Sequence, residues 1–270
     1  MKKVSAPRLK SVRELRREKL INVACAVLAI GAFLLVWQLA SMYSKRARFI
    51  PSPFVVIPKF FQSFTQPIGP KKLMGHIVAS LLRVLSGFAA AAVVGVILGI
   101  LAGRSRVMRA IINPFIEILR PIPGIAWIPI SILWFGPGEV SKVFILFIAT
   151  FTLIAVNTFA GASAVDPQLI GAARMLGASK LRVFFTVILP YCVPHIFTGL
   201  QTGLTVAWMT VVAAEMIRSE FGVGWIIDSG YNSYNMAQVM VGILTIGLIG
   251  FALANGLRLL ERRLCAWKKS

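Results

Sequence analysis

Apolar residues in this chain come in long blocks, separated by short segments rich in basic residues, glycine and proline. Blocks at 21–42, 77–102, 110–135, 140–161, 193–217 and 236–257 are each long enough to cross a bilayer as a helix. The pattern predicts an all-α, polytopic membrane protein with six transmembrane helices. It divides the chain into a basic N-terminal segment at 1–20, a first span at 21–42, a connector at 43–76, a five-helix core at 77–257 and a basic tail at 258–270. The first block exceeds a signal-peptide core and lacks a small-residue cleavage pattern, so it is read as retained. In the connector, Pro51, Pro53, Pro58, Pro67 and Pro70 break any long helix, and Phe60, Phe61 and Phe64 predict a short amphipathic helix over 54–64. The polar segment 218–235 carries a further short helix at 223–227.

One polar insert inside the core has its own grammar. In the stretch from Asp166 to Pro190, Asp166 is a capping residue, Pro167 suits a first helical position, and Leu169, Ala172, Ala173 and Leu176 share a face. Gly177 ends this helix and Ser179 starts a second, expected to stop before Pro190. Elsewhere, Gly95, Gly99 and Gly103 form overlapping GxxxG patterns that allow another helix to approach closely. The third block holds Glu117, Arg120, Pro121, Pro123 and Pro129. Prolines there free backbone groups that only protein or a watery cavity can satisfy, so this span is expected to face other helices or a pathway.

Composition narrows the class. With 57% hydrophobic and 14% charged residues and a mean hydropathy of +0.80, the chain is no ordinary soluble domain. Its net charge of +20 flanks apolar blocks without regular interleaving of aromatics, which speaks for membrane topology and against nucleic acid. With both termini in the cytoplasm, nineteen basic residues fall on the cytoplasmic side and eight outside. That orientation puts the 162–192 loop inside the cell and makes 43–76 an external, periplasmic connector. Cys25, Cys192 and Cys265 share no metal-ligand spacing, and His76 and His195 stand alone, so neither a metal site nor a catalytic centre is expected.

The 162–192 loop also carries a resemblance. Gly171-Ala172-Ala173, three residues, Gly177, nine residues, then Val187-Ile188-Leu189-Pro190 resembles the EAA loop of bacterial ATP-binding cassette (ABC) importer permeases. That family's pattern is Glu-Ala-Ala, three residues, Gly, nine residues, Ile, any residue, Leu-Pro. Gly171 stands where the family has Glu, and Val187 where it has Ile. The segments Leu119–Ile130, Trp134–Glu139, Val212–Glu215 and Gly222–Gly224 are similar to the nitrate, sulfonate, taurine and bicarbonate uptake group.

The resemblance implies a type I permease fold in the bacterial inner membrane. It implies a second permease copy, expected as a homodimer, two cytoplasmic ATPase subunits, and a periplasmic or lipid-anchored substrate-binding protein, besides the membrane lipid around the spans. The contact with the ATPase would be made by Gly171, Ala172, Ala173, Arg174, Gly177 and Ala178, with Leu189 and Pro190 closing the motif. The chain has no Walker A sequence, so ATP and Mg would be bound by the partner, and no cofactor is expected here. The solute is expected to be small and anionic.

For the pathway, Arg120, Trp127, Trp208 and Glu215 are the candidates. Ionisable residues inside spans face the bundle interior, pair, or line a route. Arg120 either attracts an anion or pairs with Glu117 or Glu215. The competing reading of the whole chain is a stand-alone carrier or channel, which leaves the double-helical insert without a purpose.

Overall fold

The computed structural model describes residues 12–43, 49–217 and 219–265. The basic residues before position 12, Arg218, Lys268 and Lys269 lie outside the described residues, among them six of the thirteen basic residues counted at the two termini. The chain divides into two units at Lys59 and Phe60. In the first, α1 (Val12–Tyr43) is one uninterrupted helix that begins nine residues before the predicted span. Its apolar side chains, Leu28, Phe33 and Val36 among them, are exposed. The Trp37 indole N–H donates to the Pro51 carbonyl at 3.1 Å, just before α2 (Pro53–Gln62).

The second unit holds a two-residue hairpin, β1 (Pro67–Ile68) and β2 (Lys71–Lys72), paired antiparallel, and then a helical bundle. Its helices are α3 (Leu73–Arg104), α4 (Arg106–Leu119), α5 (Ile128–Phe135), α6 (Glu139–Ser163), α7 (Pro167–Met175), α8 (Lys180–Val183), α9 (Leu189–Met216), α10 (Val223–Asn232) and α11 (Met236–Leu264). Of the predicted aromatic stripe, Phe60 and Phe64 pack with Leu73 and Ile77, whereas Phe61 is exposed.

Small residues at every fourth position of α3 decide how the bundle closes. A β-carbon on Gly87 would meet the Val143 carbonyl at 3.0 Å, one on Gly95 the Phe151 carbonyl at 2.9 Å, and one on Gly99 the Ala155 carbonyl at 2.7 Å. Gly103 lies against Ala162. With Ala91 completing the row, the backbones of α3 and α6 touch along most of their length. Sequence position rises together along both helices, so they run parallel. The chain between them must therefore return across the bundle, and α4 and α5 carry it. Five helices among the described residues are long and apolar enough to span a membrane, and the bent α4–α5 pair, taken as one broken span, makes a sixth crossing.

That sixth crossing is not the continuous span predicted for 110–135. Between α4 and α5 the axis bends by 91°, and a single 3-10 turn at Gly124–Trp127 bridges the break. Pro121 and Pro123 remove two amide donors, and Pro123 pushes Ile122 away from helical geometry. A second difference lies after α8. The expected stop before Pro190 is absent, because a π-helical turn at Phe184–Ile188 runs directly into α9. There the Leu189 N–H reaches back five residues to the Phe184 carbonyl, a wider turn that accommodates the Pro190 ring where an α-helix would clash.

α9 packs antiparallel to α6, with Gly199 and Gly203 against Ile154 and Gly161 against His195. α11 lies antiparallel to α9, pinned by the Trp208 indole N–H donating to the Ile246 carbonyl at 3.0 Å. Val84, Leu146, Leu204, Ala207, Trp208 and Val211 form the buried centre. The two ends of the bundle differ in kind: one carries the α7–α8 loop, the other the hairpin, α10 and the start of α6.

Candidate functional site

At the loop end, backbone hydrogen bonds give α7 and α8 a defined shape. Asp166 Oδ1 accepts from the Gln168 N–H at 2.8 Å and Ser179 Oγ accepts from the Arg182 N–H at 3.3 Å, so both starts are capped. Gly177 sits at φ 79°, its N–H donates to the Arg174 carbonyl at 2.9 Å, and the Ala178 N–H donates to the Ala173 carbonyl at 3.1 Å. This is the Schellman closure that a left-handed residue after a helix permits. Beneath the loop, Ala162, Val165, Ile170, Val183, Ile188 and Cys192 form a buried cluster, with Ala173, Ala178 and Val187 packed on its edge. Above it, Met175 and Leu176 are 85% and 89% exposed. Two nearly bare apolar side chains on a firm base make a projecting contact surface.

At the opposite end lies a buried ionic cluster. The Arg83 guanidinium is only 4% exposed. Its Nε and Nη2 donate to the two oxygens of Glu139, the latter bond at 2.7 Å, and Nη1 donates to Glu215 Oε1 at 2.7 Å and to the Phe221 carbonyl at 3.0 Å. Glu215, fully buried, also accepts from Ser80 Oγ at 2.8 Å and from the Gly224 N–H at 3.0 Å. Ser80 Oγ accepts from the Val223 N–H at 2.9 Å, and His76 Nδ1 accepts from the Gly222 N–H at 3.0 Å. His76 Nε2 then donates to the Ile68 carbonyl at 2.9 Å. Three successive amides at the start of α10 are thus satisfied by side chains of α3 and α9. Glycine is required there, because a β-carbon on Gly222 would collide with the Glu215 carboxylate and one on Gly224 with the Val212 carbonyl. Lys142 completes the cluster at 3.1 Å from Glu139 Oε1. Removing Arg83 would leave the fully buried Glu215 carboxylate without a counter-charge, typically at a cost of about 3–5 kcal/mol.

Between the two ends, the α4–α5 break presents an unpartnered face. Phe115, Ile118, Ile125, Leu133 and Trp134 are exposed along it. The side chain of Arg120, also exposed, has no hydrogen bond or ion pair among the described residues. The indole N–H of half-buried Trp127 is buried and lacks a hydrogen-bond partner among those residues.

Residues 95–265 match the family model described as the binding-protein-dependent transport system inner membrane component. A putative ABC transporter permease of Methanocaldococcus jannaschii is 38% identical over 96% of both chains. The taurine transport system permease of Escherichia coli is 36% identical, covering 98% of this chain and 96% of its own. The nitrate import permease of Synechocystis is 37% identical over 86% of each. The chain belongs to the binding-protein-dependent ABC permeases. In fold, this permease matches a MetNI methionine ABC transporter chain with a TM-score of 0.62 at 18% identity, covering 71% of this chain and 95% of that one. The all-α type I permease architecture and the place in the nitrate, sulfonate and taurine group agree with the motif reading.

The geometry redistributes the permease's candidate residues. Glu215 pairs with Arg83 and not with Arg120, so the pairing of Arg120 with Glu117 or Glu215 is replaced by an Arg120 with neither partner. Trp208 is a packed anchor between α9 and α11. Gly171, Ala172, Ala173, Arg174, Gly177 and Ala178 all lie on α7 and its elbow, while Leu189 and Pro190 open α9. The Arg83 cluster was missed from sequence, although His76, Ser80 and Arg83 recur at helical spacing on one face of α3. An arginine in phase with a histidine and a serine inside an apolar span is the signal that points to it.

Proposed function

We propose that this permease pairs with a second copy to form the route for a small anionic solute released by a binding protein outside the cell, and that α7 with its Gly177 elbow seats in a cytoplasmic ATPase subunit. The observation that carries the reading is the loop end, where a doubly capped, Schellman-closed helix stands on a buried apolar base and holds Met175 and Leu176 out. Such a rigid lever transmits a push that a floppy loop would absorb. Two of the similar permeases described above are named for taurine and nitrate transport, and this chain's loop end is expected to face the cytoplasm on its excess of basic residues. ATP and Mg belong to the ATPase subunits, and this chain supplies no catalytic group.

The route runs beside the α4–α5 break. A bare guanidinium within a span is costly unless it meets water, an anion or a partner. Arg120 gives an exposed cation suited to an oxyanion. The face formed by Phe115, Ile118, Leu133 and Trp134 is the surface the second copy covers. Uptake and assembly by Arg120→Ala test this. Lost uptake in an intact complex is the expected result, and lost assembly would make Arg120 a structural contact.

A further inference from the structure

The cluster around Arg83 holds two cations and two carboxylates that divide into self-sufficient pairs. Arg83 and Glu215 join α3 to α9, while Lys142 and Glu139 sit three residues apart on α6. Only the contacts from Arg83 to Glu139 cross between the two sets. The partners also differ in burial: Glu215 is fully enclosed with three sets of donors, whereas the Glu139 side chain is 56% exposed and borders an open groove of about 870 Å³.

We propose that Arg83 is a positioning residue with one permanent and one releasable carboxylate partner. Its link to Glu139 parts during the transport cycle, and Glu215 keeps the start of α10 in place throughout. When the link opens, Arg83 retains Glu215, the Phe221 carbonyl and the Phe221 ring, whose centroid is 4.9 Å from its guanidinium carbon. Glu139 retains Lys142 and gains water from the groove. No buried charge is stranded in either state, which removes the penalty that otherwise keeps a buried ion pair shut.

The backbone confines the movement. The Gly87 contact with Val143 and Leu146 holds α6 against α3 from the second turn onward, so only the first turn of α6 and the turn before it are free to shift. That turn contains Gly136 and Gly138, both with open space where a β-carbon would stand. It is therefore the α5–α6 turn that yields at this end of the bundle, while the hairpin and α10 stay anchored through His76, Ser80 and Glu215.

The test is peptide-level hydrogen exchange on the permease, alone and in nanodiscs with its ATPase subunits and binding protein. In the complex, trapping with ATP and vanadate should speed exchange over 136–146 by about tenfold and leave 219–230 unchanged. Glu139→Gln should produce the fast 136–146 pattern without nucleotide, as loss of a structural contact also would, and raise ATP hydrolysis in the absence of binding protein, which a merely structural contact would not do. Glu215→Gln should loosen 219–230 instead. Exchange that rises equally in both segments, or in neither, for Glu139→Gln overturns the proposal. The activity arm rests on the reading of α7 as an ATPase contact. If no ATPase complex forms, that reading fails; if the complex forms and vanadate trapping leaves exchange over 136–146 unchanged, this proposal fails.

Discussion

Leu176→Asp isolates the proposed docking surface from the loop's own stability. At 89% exposure, Leu176 contributes little to the fold of the permease itself, so the substitution should move its thermal unfolding only slightly. In the docked state the same side chain would be covered. Burying a leucine is worth about 1.5–3 kcal/mol, and an unpaired carboxylate in its place costs a further 1–3 kcal/mol or so. Together these predict affinity for the ATPase subunit lowered by about a hundredfold or more. Part of any effect comes from the carboxylate facing the negative end of α7, a matter of about 0.5 kcal/mol, and Leu176→Ser, which lacks that repulsion, should give an intermediate loss. The assay is the dissociation constant between solubilised permease and ATPase, with unfolding temperature and solute uptake measured on the same samples. Leu176→Asp binding within threefold of the unsubstituted chain, with normal uptake, would refute the docking surface. Substitutions of Ala173 or Gly177 by Asp are poorer probes. The first puts charge on the buried base, and the second strains a backbone at φ 79°, so either loses function without a docked partner being involved.

Gly171→Glu should be tolerated and stabilise α7 by about 0.5–1 kcal/mol, because no atom lies within 4 Å of a β-carbon there and glycine is a poor helix former; unfolding of the loop by hydrogen exchange reads this. Gly177→Ala should cost about 1 kcal/mol through its left-handed backbone, seen as faster exchange at Gly177 and Ala178. Gly99→Val should abolish recovery of folded permease in gel filtration, since its β-carbon would lie 2.7 Å from the Ala155 carbonyl and 2.6 Å from the Thr158 β-carbon. Arg120→Lys should retain more uptake than Arg120→Ala, because charge survives while the planar fork is lost.

Local rules were legible wherever chain neighbours enforce them. The caps at Asp166 and Ser179 and the left-handed Gly177 depend on a few adjacent residues, and each appears as the pattern requires. The approach of another helix to Gly95, Gly99 and Gly103 was legible too, although not which helix. What depended on contacts between distant residues was not. Arg83 meets Glu139 and Glu215, 56 and 132 residues away, and nothing local distinguishes those carboxylates from Glu117. Pro190 misled for a related reason. A proline inside a run predicts a stop, but the π-helical turn before it absorbs the ring at the cost of one widened turn.

α6 connects the loop end to the Arg83 cluster. It begins at Glu139, the releasable partner, and ends at Ser163, beside the Ala162 and Val165 base on which α7 stands. At 25 residues it spans roughly 37 Å, about the thickness of a bilayer with its interfaces. Its contact with α3 is backbone against backbone, without the compliant layer of side chains that lets packed helices slide. A push on α7 therefore cannot be absorbed along the middle of α6, and displacement is left to its ends, where the contacts are a hydrophobic base on one side and a divisible charge cluster on the other. A valine at Gly95 or Gly99 would break this strut; a glutamine at Glu139 would leave it intact and free its far end. If transport uses α6 as a strut, the Glu139 variant should hydrolyse ATP without moving solute efficiently, whereas a variant that only weakens folding should lose both in proportion.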